Sequence, residues 1–81
     1  MMHPDQIKQL ILAGMACDYL SLDGDGHHFE AIIVSSKFVG KSRVQRQQHV
    51  NKILKDKFDS GELHALSFKT LTPEEWSAQR G

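Results

Sequence analysis

A single cysteine, Cys17, leaves this chain without an internal disulfide and without an all-thiolate metal site. Such sparing usage fits a reducing compartment. Long apolar runs are missing too, and nothing approaches the roughly 20 residues that span a bilayer. The opening MMHPDQIKQL has neither the charged lead nor the apolar stretch of a secretory signal. A cytoplasmic protein without membrane association is expected. Net charge is absent, with ten acidic and ten basic residues, so no global field selects a polyanion. Catalytic signatures are absent as well: there is no GxSxG, no phosphate loop, no HxxxH, no paired CxxC and no carboxylate pair near a cleft-forming pattern. A chain of 81 residues makes one domain, 1–81, near the size where a single core barely suffices. A core and a deep substrate cleft seldom fit in that length, which favours a non-enzymatic binding or adaptor module.

What charge there is lies unevenly. Seven Lys/Arg residues and one acid, Asp56, fall between Lys37 and Lys57, whereas residues 1–30 carry five acids and one base, Lys8. Such polarity can steer an acidic partner or a nucleic acid to one face, although a solvated helix face is the plainer explanation.

The pattern along the chain predicts the order α-β-β-α-β-α. Pro4 suits a first helical turn, with Ile7, Leu10, Ile11 and Met15 at helical spacing and Gly14 as the stop. CDYLSL reads as a short strand, DGDG as a hairpin connection, and FEAIIVS as the second strand. Ser42 can cap a helix from Arg43 to about Phe58, with Val44, Gln47, Val50, Ile53, Leu54 and Phe58 inward and Arg43, Arg46, His49, Lys52 and Lys55 mostly outward. LHALSFKTL then alternates Leu63, Ala65 and Leu71 against His64, Ser67 and Lys69 as a third strand, with Leu66 and Phe68 breaking the alternation, so the strand is expected to be buried on one face and partly on the other. A strand-helix-strand succession favours parallel pairing through a crossover. Thr72 and Pro73 open a last helix, which Trp76 anchors to the core. The expected fold is α+β, a mixed three-stranded sheet with helices packed on it.

Histidine is the residue type that carries candidate chemistry. His3 is expected on a frayed terminus and His49 on an outer helix face, both solvated. His27 and His28 open the second strand and should point to opposite faces. His64 opens the third. Two rings from different strand ends make half a metal site, and no local zinc pattern completes it. DGDG fails as a calcium loop, because His28 stands where the sixth-position glycine belongs and Val34 where the twelfth-position acid belongs. Cys17, with no histidine nearby in sequence, reads as a buried inert thiol.

The stretch HFEAIIVSSKFVGKSRVQRQQHVNKIL, continued by ELHALSFKTLTPEEW, closely resembles the BolA family. The resemblance rests on Phe38, Gly40 and Ser42 (F-x-G-x-S), the basic helix after them, the His64–Ala65 pair and the K-T-x-T-P-x-E-W ending. GDGxHF at residues 24–29 and RVQRQQ at 43–48 are similar to the IbaG-type bacterial branch. The family fold is similar to the class II KH module. Gln47 follows Arg46 where many members carry histidine, so no role passes from that helix histidine.

What the resemblance implies is association with a monothiol glutaredoxin and a shared [2Fe–2S] cluster. The glutaredoxin supplies a cysteine, its bound glutathione a second thiolate, and the BolA-like partner the remaining ligands. By that resemblance His64 is the first ligand and His28 the second, with His27 as the alternative. Imidazole in place of thiolate removes negative charge from a cluster and makes ligation depend on pH, since a protonated ring cannot bind metal. Cluster trafficking or iron and redox sensing would follow.

The rival is a KH-like nucleic-acid-binding transcriptional regulator, a reading tied to the family's links with transcriptional control and stress response. KH domains clamp a backbone with GXXG. Here Gly40–Arg43 reads GKSR, without the second glycine. Lys37, Lys41, Arg43 and Arg46 are the candidates for docking either partner. The free chain is expected to be a monomer or a weak homodimer.

Overall fold

The computed structural model describes residues 2–80. Along the chain run α1 (Pro4–Gly14), β1 (Tyr19–Gly24), β2 (His28–Val34), a 3-10 turn (Ser36–Phe38), α2 (Arg43–Ser60), β3 (Ala65–Leu71) and α3 (Pro73–Arg80). The sheet order is β1-β2-β3, with β1 antiparallel and β3 parallel to β2. The mixed three-stranded sheet is therefore as expected.

Local chemistry sets each boundary. Ser42 accepts a hydrogen bond from Gln45 N–H at 3.2 Å while the Gln45 side chain accepts from Ser42 N–H at 2.9 Å, a reciprocal cap that starts α2. Gly61 ends α2 with φ +81°, a left-handed conformation that a side chain would strain. Thr72 and Glu75 make the same reciprocal cap at α3. His3 departs from expectation. It caps α1, its Nδ1 accepting from Asp5 N–H at 3.2 Å, while the Gln6 side chain accepts from His3 N–H.

Pleat parity decides the two faces of the sheet. Phe29, Ala31 and Ile33 of β2 meet Ile7 and Ile11 of α1 and Val50 and Leu54 of α2 in one buried cluster. Each such aliphatic side chain contributes about 1.5–3 kcal/mol when fully buried. Val34 and Leu71 are also buried but lie outside that cluster, on the alternate parity. That is the face α3 covers, where Trp76 stacks on Tyr19 of β1 with ring centroids 4.8 Å apart.

One expected stripe shifts at its start. On α2 the buried row is Arg46, Val50 and Leu54, an i, i+4 series, while Val44 is 63% exposed and Gln47 is exposed. Val50, Ile53, Leu54 and Phe58 face the core as expected, and the stripe departs only at the start of the helix, where Arg46, expected outward, turns in. On β3 apolar residues lie on both faces as expected: Leu66 and Phe68 pack, partly buried, against the main core, while Ala65 and the buried Leu71 take the opposite parity with Lys69. Leu63 is 1% exposed, yet it precedes the strand, so its burial does not set the strand's alternation.

Candidate functional site: a histidine pair at one sheet edge

Parallel pairing places the start of β3 beside the start of β2, with His28 opposite Ala65. The residues just before each strand, His27 and His64, therefore come together although 37 positions separate them. Their ring centroids lie 6.4 Å apart, tilted by 31°. Both side chains are exposed.

The backbone carrying each ring is held from behind. Leu63, buried to 1% exposure, plugs the core, and its N–H donates to Lys57 C=O at 3.1 Å, which fixes where His64 emerges. His27 rides on a loop organised by Asp25, whose Oδ1 accepts from both His27 N–H and His28 N–H at 2.9 Å. Those two donors, His28 first, hold the Asp25 carboxyl below its ordinary value. Gly24 permits the return of the chain: a Cβ there would stand 2.5 Å from the His28 carbonyl oxygen and 2.6 Å from the Phe29 ring.

His27 and His28 meet different neighbours. His27 faces His64. His28 instead lies across from Ser67, its Nε2 3.5 Å from the Ser67 Oγ, in a shallow hollow lined by Asp23, Asp25 and Glu30. The spatial pairing thus differs from the order expected of the loop rings.

Two imidazoles are donors for a borderline or soft metal. A metal bonded to ring nitrogens at about 2 Å would sit roughly 3 Å from each ring centre, so 6.4 Å is the outer limit for two rings on one ion. Among the described residues no group of three or more His, Cys, Asp or Glu could hold a metal ion. The pair fits a group whose other ligands come from elsewhere, and it does not fit a self-sufficient zinc or calcium site. Cys17 adds nothing to it. Burial first, then the Asp18 carboxylate, raises its thiol above the ordinary value, which disfavours the thiolate that ligation needs.

The basic segment is thinner than its sequence suggests. Arg46, Lys55 and Lys57 are ion-paired with Glu75, Asp59 and Glu62. Arg46 corrects the docking set. It is 8% exposed, and its guanidinium donates to Lys41 C=O at 2.9 Å, to Thr70 C=O at 3.2 Å and to both Glu75 oxygens at 2.7 and 3.3 Å. That head is spent inside the domain. Lys37 and Arg43 are exposed and Lys41 is half-buried, around a tip that also exposes Val39 and Val44. Exposed apolar and basic residues together were not legible as a patch in sequence, because Val44 was counted as core.

A family model described as BolA-like protein matches residues 12–75. The chain is 34% identical over 79 residues to the acid stress protein IbaG of Escherichia coli K12, covering 98% of this chain and 94% of that protein. It is 31% identical over 83 residues to the DNA-binding transcriptional regulator BolA of Haemophilus influenzae, covering 90% and 80% of the two chains. A solved structure of a BolA homologue from Coxiella burnetii superposes with a TM-score of 0.80 at 36% identity, covering 95% of this chain and 99% of that one.

Proposed function

Because this chain belongs to the BolA-like family, we propose that it is a non-enzymatic adaptor that binds a monothiol glutaredoxin and completes the coordination of a [2Fe–2S] cluster. The observation that carries the reading is the exposed pair His27 and His64, 6.4 Å apart at the end of the sheet where β2 and β3 begin. Two nitrogen donors and no third ligand suit a shared cluster, since the thiolates would come from the glutaredoxin and its glutathione. The cluster supplies redox-active iron. The chain supplies neutral donors, a rigid mount for them and an open edge for the partner. His64 is the first ligand in this proposal. His27 is the second on geometry, and His28 is the alternative that the family resemblance suggests. Trafficking of clusters, or sensing of iron and redox state, is the role this chemistry would serve.

Titrating the apo domain with cluster-loaded monothiol glutaredoxin, followed by visible circular dichroism, tests the assignment. His64→Ala should lose the spectrum of the mixed complex. His27→Ala should lose it more fully than His28→Ala if the present spatial pairing is the one used. An unchanged spectrum and cluster lifetime in His64→Ala would sink the proposal.

The nucleic-acid reading is supported by the name of the Haemophilus influenzae relative and by the cations at the tip, Lys37, Lys41 and Arg43. Anisotropy with duplex and single-stranded DNA at two salt concentrations separates it. Binding that disappears near physiological salt would mark backbone electrostatics without sequence readout.

A further inference from the structure

A cleft of about 540 Å³ lies between α2 and α3, at the opposite end of β3 from His64. Its floor is the free edge of β3. Phe68, Lys69, Thr70 and Leu71 line it, with Arg43, Arg46 and Gln47 of α2 on one side and Glu75 and Gln79 of α3 on the other. We propose that this edge receives a short, extended, acidic segment of a partner protein, which adds to the sheet as a fourth strand beside β3. The proposal is independent of the cluster reading.

Backbone direction is the first support. A strand residue turns its N–H and C=O to the same side, and successive residues alternate. Leu71 C=O accepts from Ser35 N–H at 3.0 Å, toward β2, so Thr70 must face outward. It does, because Thr70 C=O accepts from Arg46 at 3.2 Å. Leu66 and Phe68 share the Thr70 direction. Among the described residues no side chain bonds to either backbone. Proteins normally cover or pair such an edge. Here α2 and α3 wall it, Arg46 occupies one carbonyl, and the rest is left open.

Charge selects the occupant. The cleft holds three cations, Arg43, Arg46 and Lys69, against one carboxylate, Glu75, already paired with Arg46. Arg43 and Lys69 are exposed and make no ion pair among the described residues. Arg43 also stands in the first turn of α2, which carries no acid and whose dipole disfavours a cation. An anionic group would relieve both. Lys69 projects on the face that α3 covers and Arg43 comes from α2 on the other face, so neighbouring acids on an added strand would meet one each. The other sheet edge, β1, carries Asp23 and follows Asp18, and so repels the same segment. A peptide is favoured over a nucleic acid because the free edge offers alternating donors and acceptors, whereas a phosphate backbone can use donors only.

The test uses the intact domain and a fluorescein-labelled hexapeptide of Val, Thr, Glu and Asp with two adjacent acids. Two further versions are N-methylated on one alternate set of amides or on the other. Saturable anisotropy is expected, with amide shifts centred on Leu66, Phe68 and Thr70. One methylated peptide should weaken by about tenfold and the other should bind as the parent. Arg43→Glu and Lys69→Glu, folded by circular dichroism, should each weaken binding by about tenfold. Absence of saturable binding at millimolar peptide overturns the proposal, as does equal binding of both methylated peptides with the parent. Displacement of the peptide by a single-stranded hexanucleotide, with both methylated peptides unaffected, assigns the cleft to nucleic acid and overturns it equally.

Discussion

At the scale of single residues, Arg46 makes more hydrogen bonds than any other side chain among the described residues. It lies over Phe38, 5.9 Å from the ring centroid, and its fork reaches carbonyls of the α2 entry loop and β3 as well as the carboxylate of α3. A planar guanidinium can satisfy acceptors in several directions at once, whereas an ammonium on a flexible stem cannot hold that geometry. Arg46→Ala leaves the buried Thr70 carbonyl without its partner and should cost about 2 kcal/mol. Arg46→Lys should recover little of it. Urea denaturation of both variants checks this, and a lysine variant with the wild-type midpoint would show that charge alone suffices. The sequence could not announce the role, because the partners stand 24 and 29 positions away. His3 is the opposite case. Its capping partner Gln6 is three positions on, so the cap was legible in the local spacing and was missed only because histidine is an uncommon cap.

At the scale of elements, legibility follows the distance over which each cause acts. The starts of α2 and α3 were readable from Ser42 and from Thr72–Pro73, since a cap involves neighbours. Sheet order and parallel pairing followed from the strand-helix-strand succession. The inward turn of Arg46 at the start of α2 did not follow, because it depends on what packs across from it. Val44 and Arg46 differ by two positions, and only the Phe38 and Glu75 contacts decide which turns inward. The histidine site is intermediate. Different neighbours for His27 and His28 were expected from strand alternation, but which one meets His64 needed the β2–β3 register. Helix α3 illustrates how few contacts can hold an element. It has no fully buried residue, so the Trp76–Tyr19 stack, the Thr72 cap and the Arg46–Glu75 pair secure it. Trp76→Ala should therefore destabilise the domain by about 1–2 kcal/mol and raise hydrogen exchange first in residues 73–80. Unchanged exchange there would place the anchor elsewhere.

At the scale of the whole molecule, β3 runs from an exposed histidine pair at its start to a cationic cleft along its one free edge, on a scaffold whose two helical layers are joined around that strand by the Arg46–Glu75 pair. Since that clasp is electrostatic, global stability should depend on acid. The Arg46 hydrogen bond first, and the Thr72 N–H second, bring Glu75 from the ordinary 4.5 to about 2. A carboxyl lowered on folding binds fewer protons in the native state, so its stabilisation is complete above the unfolded value near 4.5 and is lost as pH falls through about 2. Glu75→Gln keeps the shape and removes the titration. The variant should be less stable than wild type at pH 7, and the gap should close between pH 4.5 and 2 as the wild-type carboxyl protonates. Urea midpoints collected across that range test the linkage. A gap that stayed constant to pH 2 would mean that the pair contributes through packing, and that the two layers are held around β3 by shape rather than by charge.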